Sequence, residues 1–321
     1  MKNKIAWYIV PSLLIGVLIG LLIPSPSSKS FKEIRNQQNY KFINPLLECE
    51  ESNFSNDKNL NQLKSQINFL VDQQIESKQI NFASVYYRDL NNGPWFGIRE
   101  KEYFSPASLI KVPLLMAYYK LAEKQPEKLK EEIVNNLEFD PTAQNIEPQE
   151  ILEINKNYTV DELLNRMIIY SDNNAYKLLI THIDNNLVFK VYEELGVDIS
   201  KALNDPSGNI ITVKDYASFF RILFNSSYLE KEYSEKALEL LSKSVYNDGL
   251  VKDLPPNTVV AHKFGERHYN QTNEYQLHDC GIIYSPKKPY LLCIMTRGQS
   301  FAPLSRVINQ ISKTIYDNIS P

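Results

Sequence analysis

Ser108 and Lys111 stand three residues apart, just after Pro106, in a chain of 321 residues. At the start of a helix that spacing puts both side chains on one face, about 5–6 Å apart at Cβ. A serine hydroxyl is a weak nucleophile until a base takes its proton, and a lysine becomes such a base when burial or a nearby cation lowers its pKa. Leu109, Ile110, Val112, Leu114, Leu115 and Met116 make the segment apolar nearly all round, so Lys111 sits where an amine needs a partner or a task. Pro113, a residue helices reject, breaks a local rule at the same place. Two further strings supply what acyl transfer still lacks. In Ser171-Asp172-Asn173, Ser171 is suited to relay a proton to a leaving nitrogen and Asn173 to hold a substrate amide, while Asp172 braces the junction between two helical patterns. In Lys263-Phe264-Gly265, Lys263 can hold a substrate carboxylate and bias the protons of Ser171 and Lys111, and Gly265 lets a backbone approach the strand closely. Taken singly, the strings read as a solvated helix pair, a helix cap and an edge-strand lysine. Taken together, and in this order, they describe a serine acylated by an amide.

Positioning these residues takes a sheet and a helical insert. Leu60, Leu63, Ile67, Leu70 and Val71 recur at helical spacing, and Leu304, Val307, Ile308, Ile311 and Ile315 give the chain's end one apolar face. Strand patterns cover 82–90 and 95–98, joined by the turn residues Asn91-Asn92-Gly93-Pro94, and return at 258–264, 277–284 and 290–296. Between Ser108 and Tyr246 only helical patterns occur, at 108–123, 126–136, 159–170, 173–184, 187–195, 213–225 and 229–245. The expected fold is α/β of the α+β kind: a five-stranded antiparallel sheet flanked by terminal helices, with an inserted all-helical subdomain. Its sheet part spans 58–107 and 250–319, and its helical part 108–249.

The N-terminus is different in kind. Residues 5–23 are apolar apart from Tyr8 and Ser12 and follow Lys2 and Lys4, long enough as a helix to cross the roughly 30 Å of hydrocarbon. We read residues 1–4 as cytoplasmic, 5–24 as a single-pass transmembrane anchor, 25–57 as a polar linker, and the folded domain as lying outside the cytoplasm. A cleaved signal peptide ending near Ser25-Pro26-Ser27 is the alternative. Outside the cytoplasm disulfides persist. A two-residue turn at Pro286-Lys287 would bring Cys280 and Cys293 directly opposite each other, although Cys49 could take either, or all three could be buried thiols. A net charge of −3 gives no basic field for nucleic acid. No metal-ligand cluster or phosphate loop appears, so no metal or cofactor is expected, and the chain reads as a monomer.

The three strings, their order and the segment from Tyr158 to Ala175 resemble class A β-lactamases and the penicillin-binding proteins over roughly residues 58–319. The resemblance implies Ser108 as acylated nucleophile, Lys111 as general base, Ser171 as proton shuttle, Asn173 as a substrate-amide contact, and Lys263 with Gly265 as the strand beside the substrate. It also implies oxyanion donors at the Ser108 N–H and just past Gly265. Phe264 stands where class A enzymes have Thr or Ser, so Arg267, His268 or Arg297 would have to meet the substrate carboxylate. Asp205-Pro206-Ser207-Gly208-Asn209 keeps the order of the class A Glu-Pro-x-x-Asn loop, with Asp205 as the candidate deacylating base. Three readings follow. The first is a membrane-tethered hydrolase of β-lactams or related amides. The second is a D-Ala-D-Ala peptidase acting on peptidoglycan stem peptides, and the third a sensor that keeps the fold without turnover.

Overall fold

Strict alternation of side chains gives the central sheet two dry faces. In β3 (Phe82–Asp89) Val85 and Tyr87 turn to one side and Tyr86 to the other; in β11 (Pro289–Gly298) Tyr290, Leu292 and Ile294 oppose Leu291, Cys293 and Met295. The structure, a computed structural model, describes residues 29–35, 40–53, 58–91, 93–140, 151–198 and 208–319, with the backbone alone for 29–35 and 46–53. With β4 (Trp95–Ile98), β9 (Val259–Tyr269) and β10 (Glu274–Tyr284), the sheet runs β4-β3-β11-β10-β9, antiparallel throughout, as the sequence patterns predict. On one face lie the terminal helices α1 (Lys58–Glu76) and α8 (Phe301–Ile319), packing Leu63, Ile67 and Val71 with Leu304, Val307, Ile308, Ile311 and Ile315.

The other face receives the helical insert. It holds α2 (Lys111–Ala122), α3 (Val160–Ile169), α4 (Asn173–His182), α5 (Asn185–Glu194), α6 (Val213–Asn225) and α7 (Lys231–Leu241). Ten of the twelve residues of α2 are buried, so it runs through the middle of this block. The insert is not wholly helical. The pattern at 126–136 resolves into a 3-10 turn, Pro126–Lys130, and a strand β6 (Glu132–Val134) paired with β7 (Asn157–Thr159). A further pairing, of two residues, joins β5 (Tyr103–Phe104) to β8 (Ile211–Thr212). These strands are too short to show alternation, and their partners lie far along the chain.

The β10–β11 hairpin sets Cys280 opposite Cys293, and the two form a disulfide, which settles the pairing in favour of the turn geometry. Cys49 lies in β2 (Leu46–Asn53), which pairs with β1 (Lys29–Arg35). Part of the stretch read as linker is docked. Ile43 is fully buried, and the backbone N–H groups of Lys41, Phe42 and Ile43 all donate to the Glu235 carboxylate, at 2.7–3.0 Å. Among the described residues no helix is long and apolar enough to cross a membrane; the expected anchor at 5–24 lies outside them.

Candidate active site

The turn that carries Ser108 is fixed by the edge strand beside it. Residues Ala107–Ile110 form a 3-10 turn leading into α2, and Ala107, directly before Ser108, holds φ +46°, a left-handed conformation that a Cβ disfavours. Gly265 of β9 faces this turn. A Cβ there would lie 3.0 Å from the Pro106 carbonyl oxygen and 3.2 Å from the Leu109 nitrogen. The chain's own Ser108 turn thus makes a close approach that calls for glycine here.

Lys111 follows one turn later and is 1% exposed, with its amine reaching four oxygens. Nζ stands 2.6 Å from the Ser171 carbonyl, 2.6 Å from Asn173 Oδ1, and 3.1 Å from both Ser108 Oγ and Ser171 Oγ. Burial lowers its pKa to about 7, with Asp172 and Glu266 opposing the shift. A neutral amine has two N–H donors and one lone pair. The carbonyl and the amide oxygen can only accept, so they use both donors and leave the lone pair for the two hydroxyls. The Ser108 hydroxyl thus lies at hydrogen-bond distance from an amine able to accept a proton.

Ser171 lies at the junction of α3 and α4 with φ +55°, again left-handed. Asp172 caps α4, accepting from Asn174 N at 2.8 Å and Ala175 N at 3.1 Å, which is the bracing task read for it. Asn173, the first residue of that helix, turns its Oδ1 to Lys111. Lys263, fully buried on β9, donates to Ser171 Oγ at 2.8 Å and to the Phe264 carbonyl at 3.0 Å. Burial first, and the charge of Lys111 second, push its pKa well down. Ser171 Oγ therefore accepts from Lys263 while its own proton faces Lys111 or a substrate atom. Ser108, Lys111, Ser171, Asn173 and Lys263 form one connected network.

Other expected contacts lie apart from it. Phe264 turns to the opposite face of the sheet, where it is buried and stacks on Tyr246 at 4.1 Å. Arg267 shares the Lys263 face four residues along and donates to Ser105 Oγ at 3.1 Å. Arg297 is held by the Tyr103 carbonyl and by Glu102 at 2.9 Å, its guanidinium 4.5 Å from the Phe104 ring centre, and so secures β5. His268 stacks on Tyr275 at 4.0 Å near the β9–β10 turn. Asp205 lies outside the described residues. Asn209, at the end of its motif, accepts from Gln276 Nε2 at 3.1 Å. Two residues that sequence reasoning passed over, Gln276 and His278, are fully buried against Ser105, three residues before Ser108. Their signal was available: they continue, as polar residues, the inward-facing positions of Cys280 and Ile282 in β10. Among the described residues no group of three or more His, Cys, Asp or Glu side chains is placed to hold a metal.

The Beta-lactamase enzyme family matches the chain over residues 62–319. No curated protein matches. Among solved structures, the chain is similar to TLA-3 extended-spectrum β-lactamase at 19% identity and TM-score 0.70, over 82% of this chain and 100% of that one. It is similar to a class A β-lactamase representative from Bacteroides cellulosilyticus at 20% identity and TM-score 0.67, over 83% and 99%. A single-residue mutant of PBP-A, solved as an acyl-enzyme complex with penicillin G, matches at 22% identity and TM-score 0.65, over 80% and 96%. At these identities the likeness carries the fold.

Proposed function

The chain belongs to the Beta-lactamase enzyme family, and from that premise we propose that it is a serine hydrolase acylated at Ser108 by a β-lactam or a related amide. The observation that carries this reading is the Lys111 amine, buried and with its pKa lowered to about 7, at 3.1 Å from both Ser108 Oγ and Ser171 Oγ. Lys111 takes the Ser108 proton as Oγ adds to the amide carbonyl. The oxyanion forms beside the N-terminus of the Ser108 turn, where the Ser108 N–H and that of Glu266, just past Gly265, are the candidate donors. The C–N bond then breaks, the leaving nitrogen takes the Ser171 proton, and Ser171 recovers one from Lys111, which returns the amine to its neutral form. Lys263 keeps Ser171 oriented and meets the substrate carboxylate, and Asn173 contacts the substrate amide.

Hydrolysis of the acyl-enzyme needs a base for water, and Asp205 is the candidate. The alternative is a D-Ala-D-Ala peptidase using the same first step on stem peptides. We place the domain outside the cytoplasm, tethered through residues 5–24; the Cys280–Cys293 disulfide favours an oxidising compartment. A chromogenic cephalosporin and a fluorescent penicillin, each given to the wild type and to Ser108→Ala, test the assignment. Turnover lost in the variant is expected of a β-lactamase, and stable Ser108-dependent labelling of a peptidase. No label on the wild type would exclude both. Asp205→Asn should leave labelling intact and slow release.

A further inference from the structure

Ser105 is fully buried three residues before Ser108, and side chains of the sheet hold all its polar atoms. Its N–H donates to Gln276 Oε1 at 3.0 Å, its carbonyl accepts from His278 Nε2 at 3.0 Å, and its hydroxyl accepts from Arg267 Nη1 at 3.1 Å. Gln276 and His278 are both 0% exposed, and neither enters the proton chemistry described above. Their orientations are fixed from behind. His278 Nδ1 accepts from the Thr296 N–H at 3.3 Å, so Nε2 carries the proton, and burial lowers the ring's pKa to about 3, which keeps it neutral at any working pH. Gln276 Nε2 donates to Glu274 Oε1 at 2.8 Å and to Asn209 Oδ1 at 3.1 Å, so its oxygen is the atom turned to Ser105.

Only Pro106 and Ala107 separate Ser105 from Ser108. Pro106 has φ −64°, fixed by its ring, and Ala107 has the left-handed φ of +46°. An alanine stays in that conformation only when its flanks are held. Gly265 packs against the turn on one side, and the grip on Ser105 holds the other. We propose that Gln276 and His278 are positioning residues for Ser108, fixing Ser105 and through it the left-handed turn that sets the Ser108 hydroxyl against Lys111. This inference rests on the reading of Ser108 as nucleophile. It gives two buried polar residues of β10 a task in acylation that a purely apolar strand could not perform.

The experiment follows the rate of Ser108 labelling by a fluorescent penicillin in the full chain and in Gln276→Met, His278→Met and His278→Gln. Each Met variant keeps bulk and removes the hydrogen bond. Since small misplacements of a reacting group cost large factors in rate, each is expected to slow the labelling rate constant roughly tenfold. The final labelled fraction and the midpoint of the pH profile should stay unchanged, because Lys111 keeps its surroundings. The His278→Gln amide nitrogen can stand where Nε2 stood and should recover the rate to within about threefold of wild type. If Gln276→Met does not fold, Gln276→Asn, which pulls the amide back by one methylene, makes the same comparison. Rate constants equal to wild type would overturn the proposal, as would a reduced labelled fraction at an unchanged rate, the mark of a role in folding alone. A wild type that takes no label overturns the Ser108 reading and this proposal with it.

Discussion

Burial takes the Lys111 amine from the ordinary lysine range to about 7, and that one shift decides both its chemistry and its effect on folding. Only the neutral amine can accept the Ser108 proton, so the labelling rate should climb as pH rises from 6 to 8, with a midpoint near 7. Lys111→Arg, which stays charged, should lose labelling by at least about a thousandfold. Stability moves in the same direction. The folded pKa lies below the unfolded one, so between pH 7 and about 10 the unfolded chain binds more protons than the folded one, and raising the pH favours folding. The penalty is complete below 7 and gone above the unfolded pKa. Replacing Lys111 by Met should therefore flatten the rise of melting temperature between pH 7 and 9. A slope unchanged from wild type would mean the amine is not held neutral. The residues of this network were legible in the sequence because acyl transfer demands particular types at particular spacings. Gln276 and His278 left only a weaker signal, two polar residues on the inward positions of a strand, which names no reaction until their partner Ser105 is seen.

Elements place these groups by packing one backbone against another. The edge strand β9 meets the Ser108 turn at Gly265, where a Cβ would meet the Pro106 carbonyl oxygen at 3.0 Å, the Leu109 side chain at 3.1 Å and the Leu109 nitrogen at 3.2 Å, the first and last of them backbone atoms that no side-chain rotation can move. Gly265→Ala should push the strand and the turn apart by a few tenths of an ångström, slowing Ser108 labelling roughly tenfold or more and lowering stability by about 1–3 kcal/mol. Labelling kinetics beside urea unfolding checks it, and a wild-type rate would show that this contact has slack. The long elements were legible for a related reason. Helices such as α1 and α8 and the strands of the main sheet bury a whole periodic face, which leaves a pattern in the sequence. β6 and β7 leave none. Each has three residues, Val134 is half exposed, and the pairing of Glu132 with Thr159 joins positions far apart, so the helical periodicity of 126–136 runs on in the sequence past the last helical residue, Lys130.

At the scale of the molecule the domain extends N-terminally beyond its first helix. Residues 25–57 are polar in composition, which is why they read as linker, yet Phe42 and Ile43 insert into the core of the helical insert. The strap is tied down chiefly through its backbone. Glu235 accepts three successive N–H groups, Asn44 N donates to the Phe224 carbonyl at 2.8 Å, and Tyr284 donates to the Phe42 carbonyl at 2.9 Å. Composition cannot reveal such a strap, because its backbone N–H groups are common to every sequence and only a carboxylate far along the chain selects these three. Tyr284 is six residues from His278 along β10, a span of about 20 Å, so the strap docks well away from Ser108. Its grip therefore bears on stability and on where the chain leaves the domain, and the acyl chemistry should be indifferent to it. Glu235→Ala strands those donors, which should cost about 2 kcal/mol in urea unfolding and speed proteolytic cleavage within residues 36–57, while the Ser108 labelling rate stays within twofold of wild type. Cleavage no faster than in the wild type would mean that Phe42 and Ile43 alone hold the strap. A slowed labelling rate would mean instead that the strap and the site are coupled through α7 and the helical insert.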